Sequence, residues 1–243
     1  GWHLECSVIA YENLGEQIDL HTGGIDHIPV HHTNEIAQTE SVTGKQFSKY
    51  WFHNNHIKVN GTKLSKSLGN SYTLQDVQDK GYSLEAFKLL VLSSHYRTEG
   101  NFSWEILEAA QNRVNHWGEM FNRCWQADVL TDGETDISAH ILEALQNDLD
   151  TPKVLALIDE YFDKVNANGA MPNRETLLSI RDLLGIDLLG NDITDDQKTL
   201  LDQRQTARDN KDWQTSDTLR EALAEQGIGI HDTNKGQIWY RTT

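Results

Sequence analysis

Cysteine is scarce in this chain of 243 residues: Cys6 and Cys124 are the only two. A disulfide scaffold is thereby excluded, and the usage fits a reducing, cytoplasmic compartment. No apolar run approaches the roughly 20 residues that a bilayer span requires, so no membrane partner is expected. Proline is rare as well, with three in all. No secretory leader is expected from the sequence, and it does not open on Met. The chain opens on Gly1-Trp2-His3, apolar at once like the inside of a fold, so a fragment or processed piece is expected.

Charge is absent in patches rather than overall. The formal charge is −16, from 21 Lys+Arg and 37 Asp+Glu. Residues 1–40 hold no Lys or Arg and seven acids, whereas residues 41–75 hold five lysines (Lys45, Lys49, Lys58, Lys63 and Lys66) and no acid. The acid-free stretch suggests a surface that meets an anion, with a solvated loop as the plainer alternative. The bulk charge argues against sequence-blind coating of DNA, although a local patch can still bind nucleic acid. Histidine is concentrated: seven of the 11 lie in the first 56 residues, making that region the first place to look for a metal or proton-transfer site.

The hydrophobic pattern predicts a helix over residues 3–14, a short strand over 17–20, a turn at His21-Thr22-Gly23-Gly24 and a helix over 31–42. Strand, Gly-rich turn and helix is the grammar of an α/β domain that binds ligands at strand carboxyl ends. A strand is predicted over 50–59, with a tight turn at Asn60-Gly61. The stretch Lys63–Asn70 reads as a loop. Helices dominate from residue 73: a buried one at 84–94, a long one capped by Ser103 and reaching about 126, then 138–149, 152–166, 174–184 and a helix or helix pair over 195–226. Gly227 stops the last, and 228–240 reads as a hairpin around Asn234-Lys235-Gly236.

Several residue groups suggest chemistry. His31 and Glu35, four apart, share a helix face and are types that ligate zinc, with Cys6 as a further soft donor. On spacing alone a surface ion pair and a structural cysteine explain them better. Gly23-Gly24-x-Asp26 allows close approach of a ligand to the backbone and offers an acceptor for ribose hydroxyls, yet it is also an ordinary turn. Lys63 and Lys66 flank a serine on a loop and suit nucleotide phosphates, or are simply solvated. Arg204, Arg208, Lys211 and Trp213 combine charge with an aromatic ring, as unpaired RNA bases and their backbone require. A helix docked on the hairpin by its tryptophan explains them equally well.

Gly1-Trp2-His3-Leu4-Glu5-Cys6-Ser7, Asp19-Leu20-His21-x-Gly23-Gly24-x-Asp26, His31-His32-x-Asn34-Glu35-Ile36-Ala37-Gln38 and Lys63-Leu64-Ser65-Lys66-Ser67-Leu68-Gly69-Asn70 together resemble the cysteinyl-tRNA synthetases, in order and in spacing. So do His95-Tyr96-Arg97 with Asn101-Phe102-Ser103, Asp148-Leu149-x-Thr151-Pro152, and Ala207-Arg208-x-x-Lys211-Asp212-Trp213 through to Trp239. The resemblance covers almost the whole chain.

The resemblance implies an α/β fold, the second half of a Rossmann-like class I catalytic domain, followed by an α-helical bundle and a small helix-plus-hairpin domain. The expected parts are 1–60 (catalytic half), 61–130 (connecting region with the lysine loop), 131–192 (bundle) and 193–243 (anticodon-binding domain). It implies Cys6, His31 and Glu35 as zinc ligands, overturning the plainer reading given above. Trp2 and His21 border the cysteine pocket, and Gly23, Gly24 and Asp26 meet adenosine. Lys63 and Lys66 belong to the signature loop, with Lys66 on ATP and Leu64 where Met is usual. Arg204, Arg208, Lys211 and Trp213 fall in the part that reads tRNA-Cys.

The implied reaction joins cysteine to ATP (with Mg2+) as cysteinyl-adenylate, then transfers the cysteinyl group to the tRNA. Lysines offset charge on the departing pyrophosphate, and zinc prefers a substrate thiolate to a serine hydroxyl, so editing is unnecessary. The family's amino-terminal half, with its His-Ile-Gly-His signature and another zinc cysteine, has no counterpart in this sequence, so the chain is expected to be inactive alone or to need a missing amino-terminal segment. Pro29-Val30 and Thr22 depart from the family's pattern. A cysteine ligase acting on a sugar amine is disfavoured by the Arg208, Lys211 and Trp213 tail, and a noncatalytic tRNA- or zinc-binding remnant is the alternative from another class.

Overall fold

The computed structural model describes residues 1–63, 71–126, 135–233 and 236–242. They form two compact units, one of Gly1–Ser71 with Ser94–Ser103 and one of Tyr72–Ser93 with Trp104–Thr243.

The first unit begins with α1 (Trp2–Leu14), stopped by Gly15 at φ 93°. Strand β1 (Ile18–Gly24) pairs in parallel with β2 (Ser48–Asn54), in a register that sets Ile18 opposite Ser48 and Gly24 opposite Asn54. Parallel strands need a crossover. Here it comprises a 3-10 turn (Ile25–His27), a π turn (Ile28–His32) and α2 (Thr33–Thr43), closed by Gly44 in the left-handed conformation. The strand therefore runs four residues beyond the predicted Leu20, through the Gly-rich stretch expected to turn, because parallel pairing with β2 continues to its end. The strand predicted over 50–59 is two strands: β2, then β3 (Ile57–Val59), which pairs in parallel with β4 (Gly100–Phe102). The predicted turn at Asn60-Gly61 joins Val59 to its bridge partner Thr62.

The core of this unit is small, drawing on Ile18, Phe47, Val59 and Phe102. The one buried residue of α1 is Ser7, and α2 buries Glu35 and Thr39. The helices that flank the site thus meet through polar groups, while Leu4, Val8 and Val42 stand half-exposed or more. The acid-free segment loses its isolation in three dimensions: Lys45 pairs with Glu16, Lys49 with Asp19 and Lys58 with Glu99.

The second unit is helical. It comprises α3 (Leu74–Asp79), α4 (Leu84–Leu92), α5 (Trp104–Asn122), α6 (Ser138–Gln146), α7 (Thr151–Asn168), α8 (Arg174–Leu184), α9 (Asp195–Asp209) and α10 (Trp213–Glu225), then the hairpin of β5 (Ile228–Thr233) and β6 (Gly236–Arg241). Thr73 and Thr194 open α3 and α9 with capping boxes. The α-helix expected to reach about 126 ends at Asn122 and tightens into a 3-10 turn over Arg123–Trp125. Trp117, Phe121 and Phe162 are fully buried. Asp159 accepts from Nε1 of Trp117 at 2.8 Å and from Arg113, tying α5 to α7. Against the hairpin, Leu201 and Leu223 pack with Ile193, Ile228, Ile230 and Trp239.

Candidate functional site

Three stretches of the first unit converge. Cys6 comes from α1, His31 from the π turn and Glu35 from the first turn of α2. The sulfur, imidazole nitrogen and carboxylate oxygen of these residues all lie within 4.8 Å of one another. Glu35 is fully buried. One of its oxygens, Oε2, is 2.8 Å from Nε2 of His21 and 3.8 Å from Nε2 of His32. The other, Oε1, is 3.8 Å from Nε2 of His31 and has no hydrogen-bond partner. A buried carboxylate oxygen left unpaired is costly, and a cation beside it removes that cost. Sulfur, nitrogen and oxygen donors at this spacing fit zinc. His21, His32 and Glu35 satisfy the same spacing and share the carboxylate, so they form the inner wall of one site.

Local electrostatics push Cys6 and His32 toward their neutral forms. Burial, then the charges of Glu35 and Glu5, push the Cys6 thiol up, so a cation entering the site displaces a proton from it. Burial, followed by His21, His53, His27 and His31, pushes His32 down to about 4. His53 is lowered chiefly by burial, and its Nε2 lies 2.8 Å from Nδ1 of His32. The other ring nitrogen of His32, Nε2, lies on the Glu35 side.

The glycines expected to admit a nucleotide make room for the chain's own side chains. A Cβ on Gly23 would stand 2.6 Å from Cε1 of His32 and 2.8 Å from Nδ1 of His27. On Gly24 it would stand 2.4 Å from Oδ1 of Asp26. Asp26 is exposed and pairs with His56 at 3.2 Å. Trp2 is 80% exposed and meets His31 edge-on, with ring centroids 6.4 Å apart. Lys63 follows Thr62 at the end of the β3 turn. Lys66 and the rest of the lysine loop to Asn70 lie outside the described residues, as does the Asn234-Lys235 tip of the hairpin.

In the second unit the four expected RNA contacts separate. Arg204 is 1% exposed, and its guanidinium donates to both oxygens of Asp232, at 2.8 and 3.1 Å, and to Oε1 of Gln237 at 2.8 Å. Asp232 and Gln237 face each other across the hairpin, so Arg204 pins both strands and is withdrawn from solvent. That corrects the expectation of an RNA contact at this position. Arg208 also reaches Asp232, at 3.2 Å, and lies 5.8 Å from the ring centroid of Trp213, which is 57% exposed. Lys211 is exposed, with φ 60° at the turn between α9 and α10. The sequence reading missed the structural parts played by His32, His53, His27 and Asp232. The crowding of histidines was the signal for the first three; for Asp232 the signal was its place in the closing stretch, Gly227 to Trp239, that resembles the family.

Residues 1–112 match the model of the tRNA synthetases class I (C) catalytic domain, and residues 190–239 match that of the cysteinyl-tRNA ligase anticodon binding domain. The cysteine–tRNA ligase of Chlamydia caviae is 37% identical over 256 aligned positions, covering 97% of this chain and 54% of that protein. That of Protochlamydia amoebophila is 35% identical over 254 positions, covering 97% and 53%. The chain thus spans about half the length of the curated relatives it matches. Among solved structures, the LeuRS of Agrobacterium radiobacter K84, crystallised in a ternary complex with tRNA and LeuAMS, superposes with a TM-score of 0.52 at 16% identity. The superposition covers 72% of this chain and 27% of that one, and shows a class I synthetase fold. With catalytic-domain and anticodon-domain matches in that order, the chain belongs to the cysteinyl-tRNA synthetase family.

Proposed function

We propose that this chain supplies the amino-acid-recognising metal centre and the anticodon-reading module of a cysteine–tRNA ligase acting in the cytoplasm. The substrates are cysteine, ATP with Mg2+, and tRNA-Cys. What chiefly supports the reading is the convergence of Cys6, His31 and Glu35 around a buried carboxylate oxygen that lacks a partner. When bound, zinc supplies a soft Lewis acid that takes a substrate thiolate well and a hydroxyl poorly. The residues around it do the rest. Cys6, His31 and Glu35 hold the ion, His21 anchors Glu35 through Oε2, and Trp2 and His21 border the space for the amino acid. Gly23, Gly24 and Asp26 face adenosine. Lys63 and Lys66 offset charge on the departing pyrophosphate. Arg208, Lys211 and Trp213 meet the tRNA, while Arg204 ties α9, the helix that carries Arg208, to the hairpin.

The test is metal analysis of the purified chain and of Cys6→Ser and His31→Ala after equilibration with zinc and dialysis. One equivalent retained by the parent and lost by both variants is expected. Zinc retained equally by all three overturns the ligand assignment. Cysteine-dependent ATP–pyrophosphate exchange is the matching activity measurement: this chain alone is expected to show none, and exchange by it overturns the expectation that it needs a further segment.

A further inference from the structure

The sulfur donor and the other two donors of the metal centre ride on helices of different origin in the sequence, and apolar packing does little to set one helix against the other. Ser7, next to Cys6, is the one side chain that α1 buries. Around it Leu4 is 48% and Val8 52% exposed, and Val42 on the facing helix is 81% exposed. Hydrophobic contact is roughly proportional to area and non-directional, so side chains this exposed do not fix an axial register. Hydrogen bonds do. Nε2 of Gln38 donates to Nδ1 of His3 at 2.8 Å, and Oε1 of Gln38 accepts from the Ser7 hydroxyl at 2.9 Å. Oγ of Ser7 is also 2.9 Å from the carbonyl of His3, so its single proton has two acceptors to choose from. His3 and Ser7 lie one helical turn apart on α1, and Gln38 lies one turn beyond Glu35 on α2. The His3 ring in turn meets His31 edge-on, at 6.2 Å between centroids.

We infer that Gln38 is a positioning residue for the metal centre: its amide spans His3 and Ser7, locks α1 in register on α2, and so holds the Cys6 thiol against His31 and Glu35. The inference rests on the zinc reading above and adds a residue that touches neither metal nor substrate. A slip of α1 by one residue carries Cys6 about 1.5 Å along the helix axis and 100° around it, which breaks the donor set while leaving His31 and Glu35 in place.

The test uses the whole chain in a Cys124→Ser background, so that Cys6 is the single thiol. Gln38→Met keeps the side-chain length and removes both hydrogen bonds. Its zinc affinity, measured by chelator competition, is expected to fall about 10- to 100-fold, the usual effect of losing an outer-shell partner. Its Co(II) form is expected to lose the thiolate-to-cobalt absorption. In the metal-free chain, labelling of Cys6 by an aromatic disulfide is expected to speed up several-fold. Gln38→Glu still accepts from Ser7 and from the other tautomer of His3, and is expected to restore affinity to within about threefold of the parent. Val42→Ala, which trims the groove beside the clamp, is expected to change none of the three readouts.

Parent-like zinc affinity, cobalt spectrum and labelling in Gln38→Met overturn the inference, as does a loss in Gln38→Glu equal to that in Gln38→Met. If the parent itself takes neither zinc nor cobalt, the zinc reading falls, and the labelling rates alone decide whether Gln38 sets the register.

Discussion

Replacing Arg204 by alanine separates a structural arginine from an RNA-binding one. The side chain is 1% exposed and makes three hydrogen bonds that end on both strands of the hairpin. Removing one member of a buried ion pair costs roughly 3–5 kcal/mol, mostly because the partner is left uncompensated. Here the partner is better placed than that. The Asp232 side chain is 30% exposed and keeps Arg208 at 3.2 Å, so water and a second cation absorb part of the loss. A cost of about 2–3 kcal/mol remains. Hydrogen exchange on peptides spanning β5 and β6 then accelerates roughly 30- to 160-fold, at 1.36 kcal/mol per factor of ten.

Arg208→Ala should behave in the opposite way. Its contact is a partly exposed pair, so exchange in the hairpin changes by less than about 1 kcal/mol, while the slope of log affinity for tRNA against log salt falls by about one. If Arg204→Ala leaves strand exchange unaltered and instead flattens the salt slope, Arg204 binds RNA directly and the pin described above is wrong.

Further outcomes follow from the same contacts. The Arg204 hydrogen bond is the main cause holding the Asp232 carboxyl below the usual carboxylate range. A depressed carboxyl lends stability above its unfolded value and loses it as pH falls through the folded one. Strand exchange in the hairpin, corrected for intrinsic rates, should therefore accelerate progressively below about pH 4. Glu35→Gln keeps a side chain able to meet His21 but removes the charge next to the metal centre, and zinc affinity should fall at least about 100-fold by chelator competition. Gly23→Ala drives a methyl into the rings of His32 and His27. It should cost about 1–3 kcal/mol in thermal unfolding of the first unit, and a parent-like melting temperature would show that the histidines have room to spare.

How far the sequence could be read depended on whether a residue's role was local. Helix α8 (Arg174–Leu184) and the break at Gly227 are written in periodicity, caps and glycine, and they occupy the predicted places. The end of β1 was not legible: Gly23-Gly24 looks like a turn in one dimension, and only the pairing with His53 and Asn54 keeps it extended. Spacing brought His31 and Glu35 onto one helix face, but Cys6 reached them only through resemblance to a family. The contact that brings α1 there runs through Ser7 and Gln38, 31 residues apart. Arg204 and Arg208 share a helix face in the sequence. Which of them is buried was decided by Asp232, on a strand formed later in the chain.

The parallel ribbon of β1 and β2 has a colloidal consequence. Leu20 and Tyr50 sit opposite each other on it and are 57% and 70% exposed, and among the described residues neither strand has a second neighbour. Open strand edges beside bare apolar rungs are templates for sticking to other copies. A charge of −16 opposes that through mutual repulsion between molecules. The repulsion is screened within about 3 Å at molar salt, so light scattering by this chain is expected to rise as salt is raised.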